Sequence, residues 1–323
     1  MVRKSQALAK ATKLGRRVER ERLGSLRDNK IAPATLKRYK NAVAAFFLWL
    51  EDQGLATPAS KDATDRAVAD RIEALWQDGD AVSEAGDLIS GMIHLEPSLG
   101  KNLPESWKLL KVWQENELPA RSAPVWLDLC LALMGYALTD GDLPLACFCG
   151  MAFQGLLRTG EAQALTLNSF DFGCSGGTFV VNLGSTKGGK RKGLKNESVI
   201  SKDQMLLTLL LKRFEGADLG TRLLPKSDPE MRRCFRNLIL RCGLSPDDYK
   251  PYSLRRGGST HLYKITGNMG LVVERGRWSS IRTARIYVQE AEAMLKQMRL
   301  TSNQLDRVAK GKQAFLNICN VAA

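Results

Sequence analysis

The chain has 323 residues, enough for two cores rather than one, and 44% of them are hydrophobic, an ordinary share for a globular protein. Lys and Arg outnumber Asp and Glu by 48 to 34, a formal net charge of +14 with a sequence pI near 9.6, so a polyanion held through phosphate contacts and counterion release is the expected partner. Charge alone does not separate nucleic acid from acidic lipid, but no apolar run of about 18 residues occurs and none follows Met1, so neither membrane insertion nor secretion is expected.

Residues 1–32 form a basic arm that carries half of the charge excess: Arg3, Lys4, Lys10, Lys13, Arg16, Arg17, Arg20, Arg22, Arg27 and Lys30 stand against Glu19, Glu21 and Asp28. Such an arm is either a DNA-tracking or import segment or a solvated tail. From Pro33 the apolar positions Leu36, Tyr39, Val43, Phe46, Phe47 and Leu50 recur at helical spacing up to Gly54, with Lys37, Arg38 and Lys40 on the other side. Further helical patterns at 64–78, 84–94 and 105–114, separated by turn signals, complete an all-helical unit over 33–116. The charged, proline-containing stretch up to Pro124 has no apolar periodicity, which places a linker at 117–124 and a second domain over 125–323.

That second domain opens with WLDLCLALMGYAL and LPLACFCGMAFQGLL, apolar on every side and therefore buried helices. After Arg158, the segment ALTLNSFDF reads as a Leu-rich helix and turn. The strand signals lie between 177 and 200, where GTFVVNL and LKNESVI flank the turn GSTKGGKRKG, giving a small antiparallel hairpin with a basic tip. Helices resume at 201–214 and 229–242, and 289–318 is an amphipathic tail bearing Met294, Leu295, Met298, Leu305, Val308, Phe315 and Leu316. The seven cysteines (Cys130, Cys147, Cys149, Cys174, Cys234, Cys242, Cys319) are odd in number and lack paired spacing, which suits reduced, buried thiols in a reducing compartment. With only His94 and His261 available, no metal site is expected, and no cofactor is implied.

Four segments bear groups suited to one phosphodiester: Arg158 in RTGE, Lys187 in GSTKGGK, Arg255 in PYSLRRGGSTHLY and Tyr287 in GRWSSIRTARIY. Metal-free strand cleavage needs a nucleophile, cations around the phosphorane and an acid for the departing 5′ oxygen, and each role has a candidate here. Singly the signals are weak, since Arg158 and Glu161 are equally an i,i+3 ion pair and lysines in a turn attract any backbone phosphate. Together they resemble the tyrosine recombinase, or phage-integrase-like, family. Tyr252 to Leu262 is similar to the family's H-x-L-R-H-x-x-A-T-H-L, with Tyr252 at the first histidine and Arg256 at the second. Gly276 to Tyr287 is similar to L-G-H-x-S-x-x-T-T-x-x-Y, with Trp278 at the His/Trp position.

The resemblance implies a mainly α fold with a small antiparallel β hairpin or sheet (α+β), arranged as a two-domain clamp over double-stranded DNA. It implies cleavage and rejoining through a 3′-phosphotyrosyl intermediate: Tyr287 as nucleophile, Arg158, Arg255, Tyr252 and Trp278 around the phosphate, Lys187 as the acid and Glu161 in support. Lys190 and Lys192 are alternatives for the acid, and these two with Arg191, Arg256, Lys37, Arg38 and Lys40 are the expected DNA contacts. His261 is expected to be structural. The tail is expected to dock on a neighbouring subunit of a DNA-bound homo-oligomer, a tetramer, rather than in cis. No membrane partner is expected, and the protein is placed inside the cell, in the nucleus of a eukaryote or otherwise in the cytoplasm. Two competing readings use the same residues: a type IB topoisomerase and a catalytically silent DNA-binding descendant.

Overall fold

A computed structural model describes residues 13–26, 30–118, 121–173, 177–184 and 196–321, and the chain divides into two units, Met1–Ala120 and Arg121–Ala323. The basic tip of the hairpin, with Lys187, Lys190, Arg191 and Lys192, and the first twelve residues of the arm lie outside the described residues. No described helix is long and apolar enough to cross a membrane.

After α1 (Lys13–Leu23), the first unit contains α2 (Pro33–Asp52), α3 (Lys61–Gln77), α4 (Val82–Leu95) and α5 (Pro104–Asn116). Proline in the first turn starts both α2 and α5, where its missing N–H costs nothing. α2 buries Phe46 and Leu50 and leaves Lys37, Arg38 and Lys40 exposed. Gly91 of α4 is needed for close packing, because a Cβ there would lie 2.8 Å from Val43 Cγ2 and 2.9 Å from the Tyr39 carbonyl oxygen. Asp65 caps α5 from a different helix. It is 6% exposed and accepts from the backbone N–H of Glu105 and of Ser106, both at 2.9 Å, and from Ser106 Oγ at 2.6 Å, which satisfies donors that a helix start leaves orphaned.

The second unit is built around α6 (Leu127–Thr139) and α7 (Leu143–Gln154), the latter buried continuously from Leu145 to Phe153. Around them lie the short α8 (Thr159–Gln163), β1 (Phe170–Asp171), β2 (Phe179–Gly184), β3 (Glu197–Ser201), α9 (Gln204–Arg213), α10 (Asp228–Arg241), α11 (Tyr252–Thr266), α12 (Met269–Gly276), α13 (Ile281–Arg285), α14 (Glu290–Met298) and α15 (Ser302–Val321). The strands make one antiparallel sheet in the order β1-β2-β3, with Phe170 opposite Val181 and Phe179 opposite Ser201. Thus the hairpin expected from sequence carries a third strand where a helix was expected. Tertiary contacts overrule the Leu-rich pattern: Leu165 and Leu167 exchange backbone hydrogen bonds with Leu223 and Thr221, and the Phe170 ring packs 5.3 Å from that of Phe214. The free thiols of Cys130, Cys147, Cys149, Cys242 and Cys319 are buried.

In the tail, α15 lies on α6 of its own domain and buries Val308, Phe315 and Cys319 there. The crossing depends on two glycines: a Cβ on Gly135 would sit 2.0 Å from the Gly311 carbonyl oxygen, and one on Gly311 would sit 2.9 Å from that of Ala132. Tyr136 Oη also donates to the Arg307 carbonyl at 2.6 Å. Gly135→Ala should therefore force the helices apart and lower unfolding stability by about 1–3 kcal/mol, as overpacking does, measured by urea denaturation.

Candidate active site

Two close approaches set the frame. α11 crosses the end of α7 at Gly258 and the segment before α6 at Gly257, where added Cβ atoms would lie 2.0 Å from the Phe153 carbonyl oxygen and 1.7 Å from that of Val125. With no room for side chains on that face, Arg255, on the first turn of α11, projects into the interior and has no solvent exposure. Its guanidinium donates to the carbonyls of Leu156 and of Gly276, the latter at 2.6 Å, and it lies 3.9 Å from Glu161. Among the described residues its Nε has no partner.

Above that guanidinium sit two aromatic rings. The Arg255 Cζ is 4.6 Å from the centre of the Trp278 ring and 5.7 Å from that of Tyr287, and the two rings are 4.6 Å apart. Gly276 makes the stack possible, since a Cβ there would be 1.8 Å from the indole. Tyr287 follows α13, whose N-cap Ser280 accepts from Thr283 N at 3.2 Å. The Tyr252 Oη donates to Tyr287 Oη at 2.9 Å, and burial, then that bond, push the Tyr252 phenol up to about 12. Burial, then the neighbouring Arg277, hold Arg255 down to about 10. Four of the residues expected from sequence, Tyr252, Arg255, Trp278 and Tyr287, are therefore in direct contact.

Arg158 joins them through Glu161. It stands at the N-cap of α8, its backbone N–H donates to Glu161 Oε2 at 2.9 Å, and its guanidinium bonds Glu161 Oε1 while about a third of the side chain remains exposed. Burial raises the Glu161 pKa, but the Arg277 charge and the Arg158 contacts outweigh it, and the carboxyl is held below its usual range. Arg277 was not expected from sequence. It is 8% exposed and reaches Glu161 Oε2 at 2.7 Å and Glu197 Oε2 at 3.7 Å. One sequence signal marks it: an arginine stands where the motif has glycine. The inward Glu197 at the start of β3 was also missed, although it shares the inward face of the strand with Val199 and Ser201.

Arg256 corrects an expectation. It is buried, donates to the Ser122 carbonyl at 2.6 Å and pairs with Glu292 at 3.4 Å, so it braces α14 and the start of the domain rather than offering DNA a charge. His261 packs 5.9 Å from the Phe153 ring, with its pKa lowered by burial and then by Lys264. Lys37, Arg38 and Lys40 belong to the other unit, where Arg38 lies 3.2 Å from Asp87. Among the described residues no cluster of side chains suited to a metal occurs.

Solved structures align with this chain at low identity. The integrase of transposon Tn1549, in complex with transposon right end DNA, aligns at 11% identity over 84% of this chain and 95% of that one, with a TM-score of 0.51. XerA recombinase aligns at 16% identity over 81% and 99%, with a TM-score of 0.42. XerH site-specific recombinase bound to difH substrate aligns at 16% over 67% and 69%, also at 0.42. No curated protein matches the chain in sequence. The phage integrase family matches residues 129–294, just over half of the chain and the whole stretch from α6 through the stacked site, and the chain belongs to that family.

Proposed function

We propose that the protein recombines or integrates double-stranded DNA as a tyrosine recombinase. The observation that carries this reading is the contact of Tyr287 with both the buried Arg255 and Tyr252. In the proposed reaction Tyr287 Oη attacks the scissile phosphorus and gives its proton to solvent, the bond to O5′ breaks, and a 3′-phosphotyrosyl ester conserves the bond energy for religation. Arg158, Arg255 and the Trp278 N–H stabilise the non-bridging oxygens, Glu161 holds Arg158, and Lys187 protonates O5′. No cofactor enters these steps. Because Arg255 lies beneath the two rings with no exposure, a phosphate reaches it only when Tyr287 or Trp278 moves.

Support for DNA as substrate comes from the net charge, from the exposed Lys37, Arg38 and Lys40 of the helical unit, and from the fold shared with an integrase solved on transposon end DNA. The basic arm and the turn carrying Lys190, Arg191 and Lys192 are read as further backbone contacts. In the proposed organisation residues 33–116 bind one face of the duplex, 117–124 link, and 125–323 carry the chemistry. A tetramer on DNA inside the cell, nuclear in a eukaryote, is the assembly we infer. Met294, Leu295, Met298 and Leu305 are at least half exposed, and this face of the tail remains for a neighbouring subunit.

Tyr287→Phe should bind DNA as before and form no covalent adduct on a nicked suicide substrate run on a denaturing gel. Adduct at wild-type yield would remove Tyr287 as nucleophile, while the absence of adduct from the wild-type protein would favour the silent descendant. Relaxation of supercoiled DNA by monomeric protein would favour the topoisomerase reading.

Lys187→Ala should cleave ordinary DNA poorly but recover on a 5′-bridging phosphorothiolate, whose thiolate leaves without a proton. Equal failure on both substrates moves the acid role to Lys190 or Lys192. Tyr252→His should shift the cleavage optimum toward neutral pH, since imidazole accepts a proton there and the Tyr252 phenol does not; this is read from single-turnover rates across pH.

A further inference from the structure

Arg277 occupies a backbone position that its residue type does not favour. It ends α12 in the left-handed region, at φ 59° and ψ 35°, a conformation that glycine adopts without a Cβ penalty. An arginine held there, with its charge buried, points to a function for the side chain. That side chain binds two carboxylates from different elements, Glu161 of α8 at 2.7 Å and Glu197 of β3 at 3.7 Å, and donates to the Leu156 carbonyl at 3.2 Å. Glu161 Oε1 is bonded by Arg158, and Glu161 Oε2 lies 3.9 Å from Arg255. Glu197 begins β3, the strand that follows the basic turn directly.

We propose that Arg277 is a positioning residue for the strand-cleavage reaction set out above, on which this inference rests. By occupying Glu161 Oε2 it keeps that carboxylate from neutralising Arg255 and fixes the face from which Arg158 is aimed. By gripping Glu197 it ties the start of β3 to the same carboxylate. Arg277 itself stays off the phosphate and acts through Glu161 on the two cations that stabilise the phosphorane.

The test uses the full chain carrying Arg277→Gly, which removes the guanidinium and relaxes the left-handed turn, with thermal unfolding to establish that it folds. Single-turnover cleavage is measured on a suicide substrate bearing either the ordinary phosphodiester or a neutral methylphosphonate at the scissile position. On the phosphodiester the variant should lose about 10–10²-fold in rate, as misplaced catalytic groups do, with little change in DNA affinity. On the methylphosphonate, which needs less charge stabilisation, the defect should shrink, and the defect of Arg158→Ala should shrink with it. A purely structural role gives equal defects on both substrates, and that result, or wild-type cleavage by the folded variant, overturns the proposal. If Arg277→Gly does not fold, Arg277→Lys, which keeps the charge but reaches one carboxylate at a time, takes its place in the same comparison. Absence of adduct from the wild-type protein overturns both this inference and the recombinase reading; a normal wild type with an unaffected Arg277 variant overturns this inference alone.

Discussion

A guanidinium with no solvent access has to be stabilised by its surroundings, and the catalytic half of this protein is arranged around that requirement at Arg255. Removing an ion from water costs several kcal/mol even after relaxation, and among the described residues the ion pair of Arg255 is the long one to Glu161 at 3.9 Å. The compensation is distributed over backbone carbonyls and aromatic faces. Leu156 is held at φ 46°, outside the regions that L residues favour, and its carbonyl accepts from both Arg255 and Arg277. Gly276 supplies a second carbonyl from beneath the indole of Trp278. The glycines of α11, the strain at Leu156 and the missing side chain at Gly276 are three local costs that serve one buried cation.

The same arrangement explains how Tyr287, the nucleophile we propose, is held. Tyr287 rests on Arg255 and Trp278, and its hydroxyl is engaged by Tyr252. A histidine at position 252 would place a group that titrates near neutral pH beside the nucleophile, whereas a phenol with its pKa raised by burial remains a donor throughout that range. The aromatic pair therefore orients Tyr287 without drawing its proton away.

Much of this was legible in the sequence where a residue's place follows from its spacing. The boundaries of α2 to α5 follow apolar periodicity and proline or glycine punctuation, and Arg158, Arg255, Trp278 and Tyr287 follow motif positions. Less legible was whatever depends on contacts between distant segments. The helix expected in ALTLNSFDF became a single 3-10 turn and β1 because Leu165 and Leu167 pair with 221–223. Arg256 looked like a free charge beside Arg255, but it lies on the face of α11 turned to Ser122 and Glu292. The cis packing of α15 turns on Gly135 and Gly311, whose mutual fit no local pattern announces.

Charge balance connects the buried site to its substrate. Among the described residues the cluster contains the guanidiniums of Arg158, Arg255 and Arg277 and the carboxylates of Glu161 and Glu197, so it is one negative charge short of neutrality. A phosphodiester brings one negative charge and the pentavalent phosphorane concentrates more on its equatorial oxygens, so the shortfall is met in the ground state and exceeded at the transition state. A site with one carboxylate fewer would attract both the diester and the phosphorane more strongly, so the carboxylates do not serve to raise the attraction. The two buried carboxylates therefore act on direction rather than on strength: they hold the guanidiniums where, in the reaction we propose, charge develops on the equatorial oxygens.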